Sequence, residues 1–258
     1  GDDVVDAGTY SDAEDTIDGG DGEDAVGLPI AQWTTADDAE VTGMTNIEAA
    51  LVTNAINGAI DLVTAFPNDV INVIAAAGFN GGTVTVFSGA TVTSIADNAG
   101  AENIVVGGTG TSDSVTVVLD GADGTAIATT GVESMTLSSI EEDGVVDGGD
   151  NELTGNITST PSAGVGSMSL TIDGDQNLDL QGTVAASPID ASAFTGDLTA
   201  TAAGQATVTG GTGDDALTGS AAADNITGGE GDDTLLGAAG NDALNGSAGT
   251  DTLQGDAG

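Results

Sequence analysis

From Gly210 to the C-terminus the chain reads, in blocks of nine, GGTGDDALT (210–218), GSAAADNIT (219–227), GGEGDDTLL (228–236), GAAGNDALN (237–245) and GSAGTDTLQ (246–254), then a truncated GDAG (255–258). Asp215, Asp224, Asp233, Asp242 and Asp251 recur at the sixth position of each block. Leu217, Ile226, Leu235, Leu244 and Leu253 recur at the eighth, with no slip. A disordered Gly/Asp linker has no reason to hold one register over five units, so the stretch reads as a repeat architecture. Residues 201–209 extend it backwards with Val208 in the apolar slot, although Ala206 stands where the aspartate belongs.

Working outward, residues 19–27 carry a worn copy, GGDGEDAVG, with Asp24 and Val26 in their slots and Asp15 and Ile17 nine residues earlier. Residues 28–200 change character. The runs 83–87, 114–119, 134–138, 167–172, 178–181 and 206–209 alternate apolar residues with Thr or Ser and are separated by Gly, Asp and Asn, a pattern of short strands joined by turns. Glu48, Glu102 and Glu133 each precede an apolar run in a looser repeat. Residues 46–77 are Ala-rich around Pro67 and could hide a helix, but Val70, Ile71, Val73 and Ile74 favour strand. The expected fold class is therefore all-β: a β-solenoid, or parallel β-roll, with irregular β-rich rungs. Three regions are expected: a worn nonapeptide block over 1–27, irregular Thr/Val-rich rungs over 28–200, and a regular roll over 201–258. Both ends fall inside repeats, so the chain reads as an excerpt of a longer polypeptide.

Charge sets the chemistry. The chain of 258 residues has 42 Asp plus Glu and no Lys, Arg or His, a formal charge of −42. No salt bridge can form between side chains, within one copy or between copies, and self-repulsion opposes compaction unless cations neutralise it. Acidic chains with few aromatics are commonly disordered, but 39% of these residues are hydrophobic, enough to build a core. A folded chain that needs counter-ions fits better, and the hard divalent cation for all-oxygen ligands is Ca²⁺. Cys is absent, which excludes disulfides and thiol chemistry. Without His, Cys, Lys or Arg there is no Ser-His-Asp or Cys-His site and no cation for a developing oxyanion, so the chain is read as a non-enzyme. Nucleic acid is excluded as a direct partner, because anion would meet anion. No apolar run approaches the length of a membrane-spanning helix.

The repeating unit GGxGxDxUx, with U a large apolar residue, resembles the nonapeptide of the RTX (repeats-in-toxin) calcium-binding family. In such a unit x-U-x is a short strand with its apolar side chain inward, and the six preceding residues turn the chain. Two nonapeptides complete one coil, so residues 18 apart stack at one strand spacing, about 4.8 Å. That places Asp215, Asp233 and Asp251 along one edge and Asp224 and Asp242 along the other. Two carboxylates about 5 Å apart repel by roughly 1–3 kcal/mol between dielectric constants of 80 and 20. Ca²⁺ between stacked turns can instead take each carboxylate pair plus glycine-loop carbonyls, and its binding becomes folding free energy. Three complete sandwiches are expected. A pair of Asp215 with Asp233 should be strongest, because Gly211, Gly213, Gly229 and Gly231 leave both loops intact. A fourth site would pair Asp197 with Asp215. Asp15 and Asp24 are candidate ligands in the N-terminal block. Ala206, Ala222, Ala238 and Ser247 break the glycine pattern, and Ala222 should strain or reshape its loop.

The combination of nonapeptides with Thr/Val-rich rungs looks most like bacterial surface-layer proteins and large RTX adhesins. The resemblance implies type I secretion, folding outside the cell in millimolar calcium, and an extracellular, cell-surface location. It also implies self-assembly into a lattice or filament, with cell-surface polysaccharide anchoring through regions outside this chain. The alternatives are a segment of a type I-secreted adhesin, or the C-terminal secretion and folding domain of an exported enzyme or toxin. Weaker signals remain. The stretch beginning at Asp173 has the oxygen spacing of an EF-hand start but Leu178 and Val184 where Gly and Glu belong, so an acidic strand face is expected there. Asp120, Asp123, Glu141, Glu142, Asp143, Asp147 and Asp150 fall in expected turns, where solvated carboxylates and calcium ligands are expected equally. Glu48, Glu102 and Glu133 favour strand capping over calcium, and Trp33 is expected to plug a core.

Overall fold

A computed structural model describes residues 166–258 continuously. Before them it describes residues 4–6, 17–18, 25–28, 44–45, 49–52, 59–61, 72–75, 82–94, 102–106, 112–120, 126–140 and 151–160. Every regular element among the described residues is a β-strand, and every pairing between strands is parallel. Strands alternate between two sheets of twelve and eleven strands as the chain advances, with a small pair, Ile17–Asp18 and Met44–Thr45, beside them. Apart from the small pair and from Asn151–Leu153 and Ile157–Thr160, which follow one another in the same sheet, successive described strands fall in opposite sheets and the chain returns one rung further along, the path of a β-roll.

Register measures the length of each coil. At the C-terminal end Thr207 pairs with Asn225, Ala216 with Thr234, Asn225 with Ala243 and Thr234 with Thr252, a constant 18 residues. Upstream the coils vary: Val73 pairs with Val92, Thr116 with Thr91, and Ser134 with Ser169, the last enclosing 35 residues of path. Nonapeptides hold a fixed coil because their turns have a fixed length. The Thr/Val-rich rungs keep strand alternation but let the turns grow.

Alternation in the sequence becomes alternation in burial. In Thr83–Val86 the valines are buried and the threonines are not, and Ser134–Ile140 repeats the pattern with Met135, Leu137 and Ser139 inward. The inward residues form one core running from Ala50 and Val52 through Val117, Leu137, Ile172 and Leu198 to Leu217, Ile226 and Leu235. Phe194 is the largest fully buried side chain and fills the turn just before the regular coils. The strand expectation for 46–77 holds at Ala49–Val52, Ala59–Asp61 and Asn72–Ala75, where β-branched side chains pack on the pleat. Trp33, Glu48, Asp123, Glu141, Glu142, Asp143, Asp147 and Asp150 lie outside the described residues, as do Asp15 and Asp24.

Candidate metal centre

The first three nonapeptides place their eighth residue in the core, Leu244 packs partly buried against it, and the sixth residue lies at the edge of the roll, where the chain turns. Leu217, Ile226 and Leu235 are fully enclosed, and the same packing draws Asp215, Asp224 and Asp233 out of solvent to 1%, 3% and 1% exposure. A charged carboxylate buried to that extent needs partners. Part of the need is met by a ladder. Asp233 Oδ1 accepts the N–H of Asp215 at 2.9 Å, and Asp251 Oδ1 accepts the N–H of Asp233 at 3.1 Å. On the other edge Asp242 Oδ1 accepts the N–H of Asp224 at 2.9 Å. The 18-residue stacking of sixth-position aspartates is thus a hydrogen-bonded fact on both edges.

The other oxygens are not all satisfied. Oδ2 of Asp233 and of Asp242 is buried without a hydrogen-bond partner. Burial raises the pKa of the Asp233 carboxyl, opposed by the Asp215 N–H and reinforced by Asp251, Asp214 and Asp232. Burial likewise pushes Asp215 up to about 6, against the N–H groups of Gly211 and Leu198.

Glycine geometry frames these oxygens. A Cβ on Gly228 would fall on Asp233 Oδ2, one on Gly246 on Asp251 Oδ2, and one on Gly237 would lie 2.6 Å from Asp242 Oδ2. At the fourth position a Cβ on Gly231 would fall on the carbonyl oxygen of Gly213, and one on Gly240 on that of Ala222. The gap between coils is therefore kept clear of side chains and faced by carboxylate and carbonyl oxygens. Among the described residues no three carboxylates or other acidic, His or Cys side chains gather at one point. An ion in this gap would be held by few carboxylates and several peptide carbonyls, the oxygen-rich, flexible donor set that suits Ca²⁺.

Of the candidate glycines, Gly229 and Gly231 take left-handed φ of 132° and 114°, whereas Gly211 and Gly213 do not. The N–H of Gly211 instead donates to Asp215 Oδ2 at 2.8 Å, and its carbonyl accepts the N–H of Glu230 at 3.0 Å. In the pair of Asp215 with Asp233, expected to be the strongest site, each Asp215 oxygen accepts an N–H; Leu198 N–H donates to its Oδ1 at 2.9 Å. One expectation needs correction: Asp197 does not stack on Asp215. Thr199 pairs with Ala216, one residue short of the 18-residue coil, so Leu198 faces Asp215 and Asp197 faces Asp214.

A second ladder, not expected from the sequence, runs through the fifth-position aspartates, and the offset joins Asp197 to it. Asp197 Oδ1 accepts the N–H of Asp214 at 2.8 Å, Asp214 Oδ1 that of Asp232 at 2.7 Å, and Asp232 Oδ1 that of Thr250 at 2.7 Å. Its signal in the sequence is the aspartate doublets Asp214–Asp215 and Asp232–Asp233, whose first members fall outside the sixth-position register. The EF-hand spacing from Asp173 dissolves into two strands, Met168–Gly174 and Leu178–Val184. Glu133 is nearly buried and accepts the N–H of Asp113 at 2.8 Å, a structural role.

With this geometry in place, comparison with known proteins adds one match. A family model described as RTX calcium-binding nonapeptide repeat (4 copies) matches residues 209–244 and 236–258. No curated protein and no solved structure matches the chain. The coils from residue 209 to the C-terminus are RTX calcium-binding nonapeptide repeats of a parallel β-roll, and the ion they bind is Ca²⁺.

Proposed function

We propose that this chain is a calcium-braced structural component of the bacterial cell surface, a subunit of an S-layer or surface filament. The observation that carries the reading is the continuity of the roll. Among the described residues two parallel sheets run from Val4–Asp6 to Thr252–Gln254 as one repetitive scaffold, and its rungs dominate them. Such a scaffold gives length and stiffness. A chain without His, Cys, Lys or Arg has little with which to do acid–base or nucleophilic catalysis, so the role is mechanical.

Asp233 and Asp242 would hold the ions through their buried Oδ2 atoms, helped by carbonyls of the glycine loops on either side of the coil gap. When bound, Ca²⁺ supplies the positive charge that these oxygens lack and ties one coil to the next. The residues themselves do the rest. Oδ1 of each aspartate holds the preceding coil's N–H, and glycines at the first and fourth positions keep the gap open. Millimolar calcium outside the cell would load such sites, in keeping with an extracellular location. At −42, copies cannot attract one another through side-chain ion pairs, so calcium must also neutralise contacts between subunits.

Electron microscopy of the purified chain tests this reading. Ordered sheets or filaments are expected in millimolar Ca²⁺, with loss of order on dialysis into chelator plus NaCl. Dispersed single rods in calcium would refute the assembly role, and order that persists in chelator would refute the bracing role.

A further inference from the structure

The aspartate loops of the roll are not equivalent. In the two that come first, both carboxylate oxygens are taken by the chain itself. Asp215 accepts from Leu198 N–H through Oδ1 at 2.9 Å and from Gly211 N–H through Oδ2 at 2.8 Å. Asp224 accepts from Ala206 N–H through Oδ1 at 2.7 Å, and through Oδ2 from the N–H and hydroxyl of Ser220 at 2.6 and 3.0 Å. In the next two loops only Oδ1 is engaged. Oδ2 of Asp233 and of Asp242 is buried and bare.

The backbone divides at the same place. From residue 229 onward the second and fourth positions carry left-handed φ: Gly229 132°, Gly231 114°, Ala238 68°, Gly240 137°, Ser247 74° and Gly249 145°. Gly211, Gly213, Ser220 and Ala222 do not. The fourth-position N–H follows suit. That of Gly231 donates forward to the Ala248 carbonyl at 2.9 Å and that of Gly240 to the Ala257 carbonyl at 3.0 Å. That of Ala222 turns back to Ser220 Oγ at 3.0 Å.

Causes lie in particular residues. A φ of 114–145° belongs to a region open essentially to glycine, and the fourth position of the 219–224 loop is Ala222. In the 210–215 loop the coil before it decides, since the Phe194 carbonyl takes the N–H of Thr212 at 3.1 Å and abuts Gly211. With the loop peptide turned inward, an N–H group stands beside Oδ2 where the later loops have nothing.

We propose that, within residues 168–258, the calcium requirement is confined to the coils after Asp224. The coils of this region up to Asp224 close on their own N–H groups and hold their fold without the ion. They then present the edge on which Ca²⁺ orders residues 225–258. This part of the roll is a metal-independent body with a metal-gated end, and external calcium controls the growth of that end. This inference rests on the reading that Ca²⁺ fills the carboxylate gaps of the roll.

Hydrogen exchange on the full chain, in chelator and in millimolar Ca²⁺, separates the two claims. Amides of Leu198–Ala202, Thr207–Thr209 and Ala216–Thr218 should stay protected in chelator. Those of Thr234–Leu236, Ala243–Ala248 and Thr252–Gln254 should gain protection on the order of 100-fold with calcium. Collapse of protection throughout 168–258 in chelator would overturn the gated-end proposal while leaving the calcium reading intact. Indifference to calcium everywhere would overturn both. Ala222→Gly adds a second check, because it frees the 219–224 loop to take the open conformation. Calorimetric titration should then count one more Ca²⁺ per chain than in the parent, and an unchanged count would overturn the proposal.

Discussion

Asp215 and Asp233 are tied across one coil: the N–H of Asp215 donates to Oδ1 of Asp233 at 2.9 Å, and beside that bond the carbonyl of Asp215 accepts the N–H of Thr234 at 2.8 Å. The first bond uses a side chain to do what a sheet ladder does, beyond the end of the strands. It also fixes the direction of each carboxylate. Sixth-position aspartates reach back to the coil before them, while fifth-position aspartates accept from the coil after them. Because Oδ1 is committed, Oδ2 is the oxygen left for an ion.

Asp233→Ala removes both functions, and Asp251→Ala removes them at a less buried site one coil nearer the end. A hydrogen bond to a charged group contributes about 1.5–3 kcal/mol, so its loss with the ligand should weaken calcium binding by at least about tenfold. The expected order in calorimetry is a larger loss of affinity for Asp233→Ala than for Asp251→Ala. Equal losses would show that the stacked coils do not share their aspartates.

The eighth position should be just as unequal. Leu217 is fully buried between the sheets, whereas Leu253, in the last strand, is 45% exposed. Leu217→Ala should destabilise the roll by about 2–5 kcal/mol through lost burial and a residual cavity. Leu253→Ala should cost well under half of that, since less apolar area leaves the core. Denaturant melts in saturating calcium read both, and similar shifts in midpoint would mean that the core does not taper towards residue 258.

Strand positions were legible because alternation survives in the sequence. The runs at 83–87, 114–119, 134–138 and 178–181 fall within a residue or so of strands Thr83–Val86, Ser114–Asp120, Ser134–Ile140 and Leu178–Val184 at their starts, and the last three run on further. The 18-residue period was legible for the same reason. Which oxygens stay bare was not, because that depends on peptide orientation. Gly211 and Gly229 are the same residue at the same repeat position, yet one turns its N–H to the aspartate and the other takes φ 132°. The difference comes from Phe194 in the preceding coil, a long-range contact that no nonapeptide reports. The offset of Asp197 escaped notice likewise, because the coil holding it is one residue short.

Breaks in the glycine pattern also proved unequal. Ala238 and Ser247 sit at φ 68° and 74°, the left-handed helical region, which an L-residue enters at about 1–2 kcal/mol. Ala238→Gly should therefore stabilise the calcium-loaded roll by up to about 1 kcal/mol, offset in part by the freer unfolded chain. Gly231→Ala should do the reverse and more severely. Its φ of 114° excludes a side chain, and a Cβ would strike the Gly213 carbonyl. Thermal melts in calcium that rise for Gly231→Ala would contradict the loop geometry.

Acid should stabilise the metal-free roll. Burial lifts the Asp215 carboxyl from an ordinary 3.8 to about 6, and Asp233 is shifted in the same direction by the same cause. A group with a raised pKa binds its proton more tightly folded than unfolded, so stability falls as pH rises through that window and is regained as pH falls. In chelator the melting temperature should climb from pH 7 through 6 towards 4, helped by relief of repulsion among 42 acidic residues. In calcium the slope should reverse, because protonation of Asp233 competes with the ion for the same oxygen. Circular dichroism melts at pH 7, 6 and 5 under both conditions test the pair of slopes. A metal-free roll that loses stability on acidification from pH 7 to 5 would show that its aspartates are held by unseen favourable partners, and the account of buried, under-satisfied carboxylates would fall.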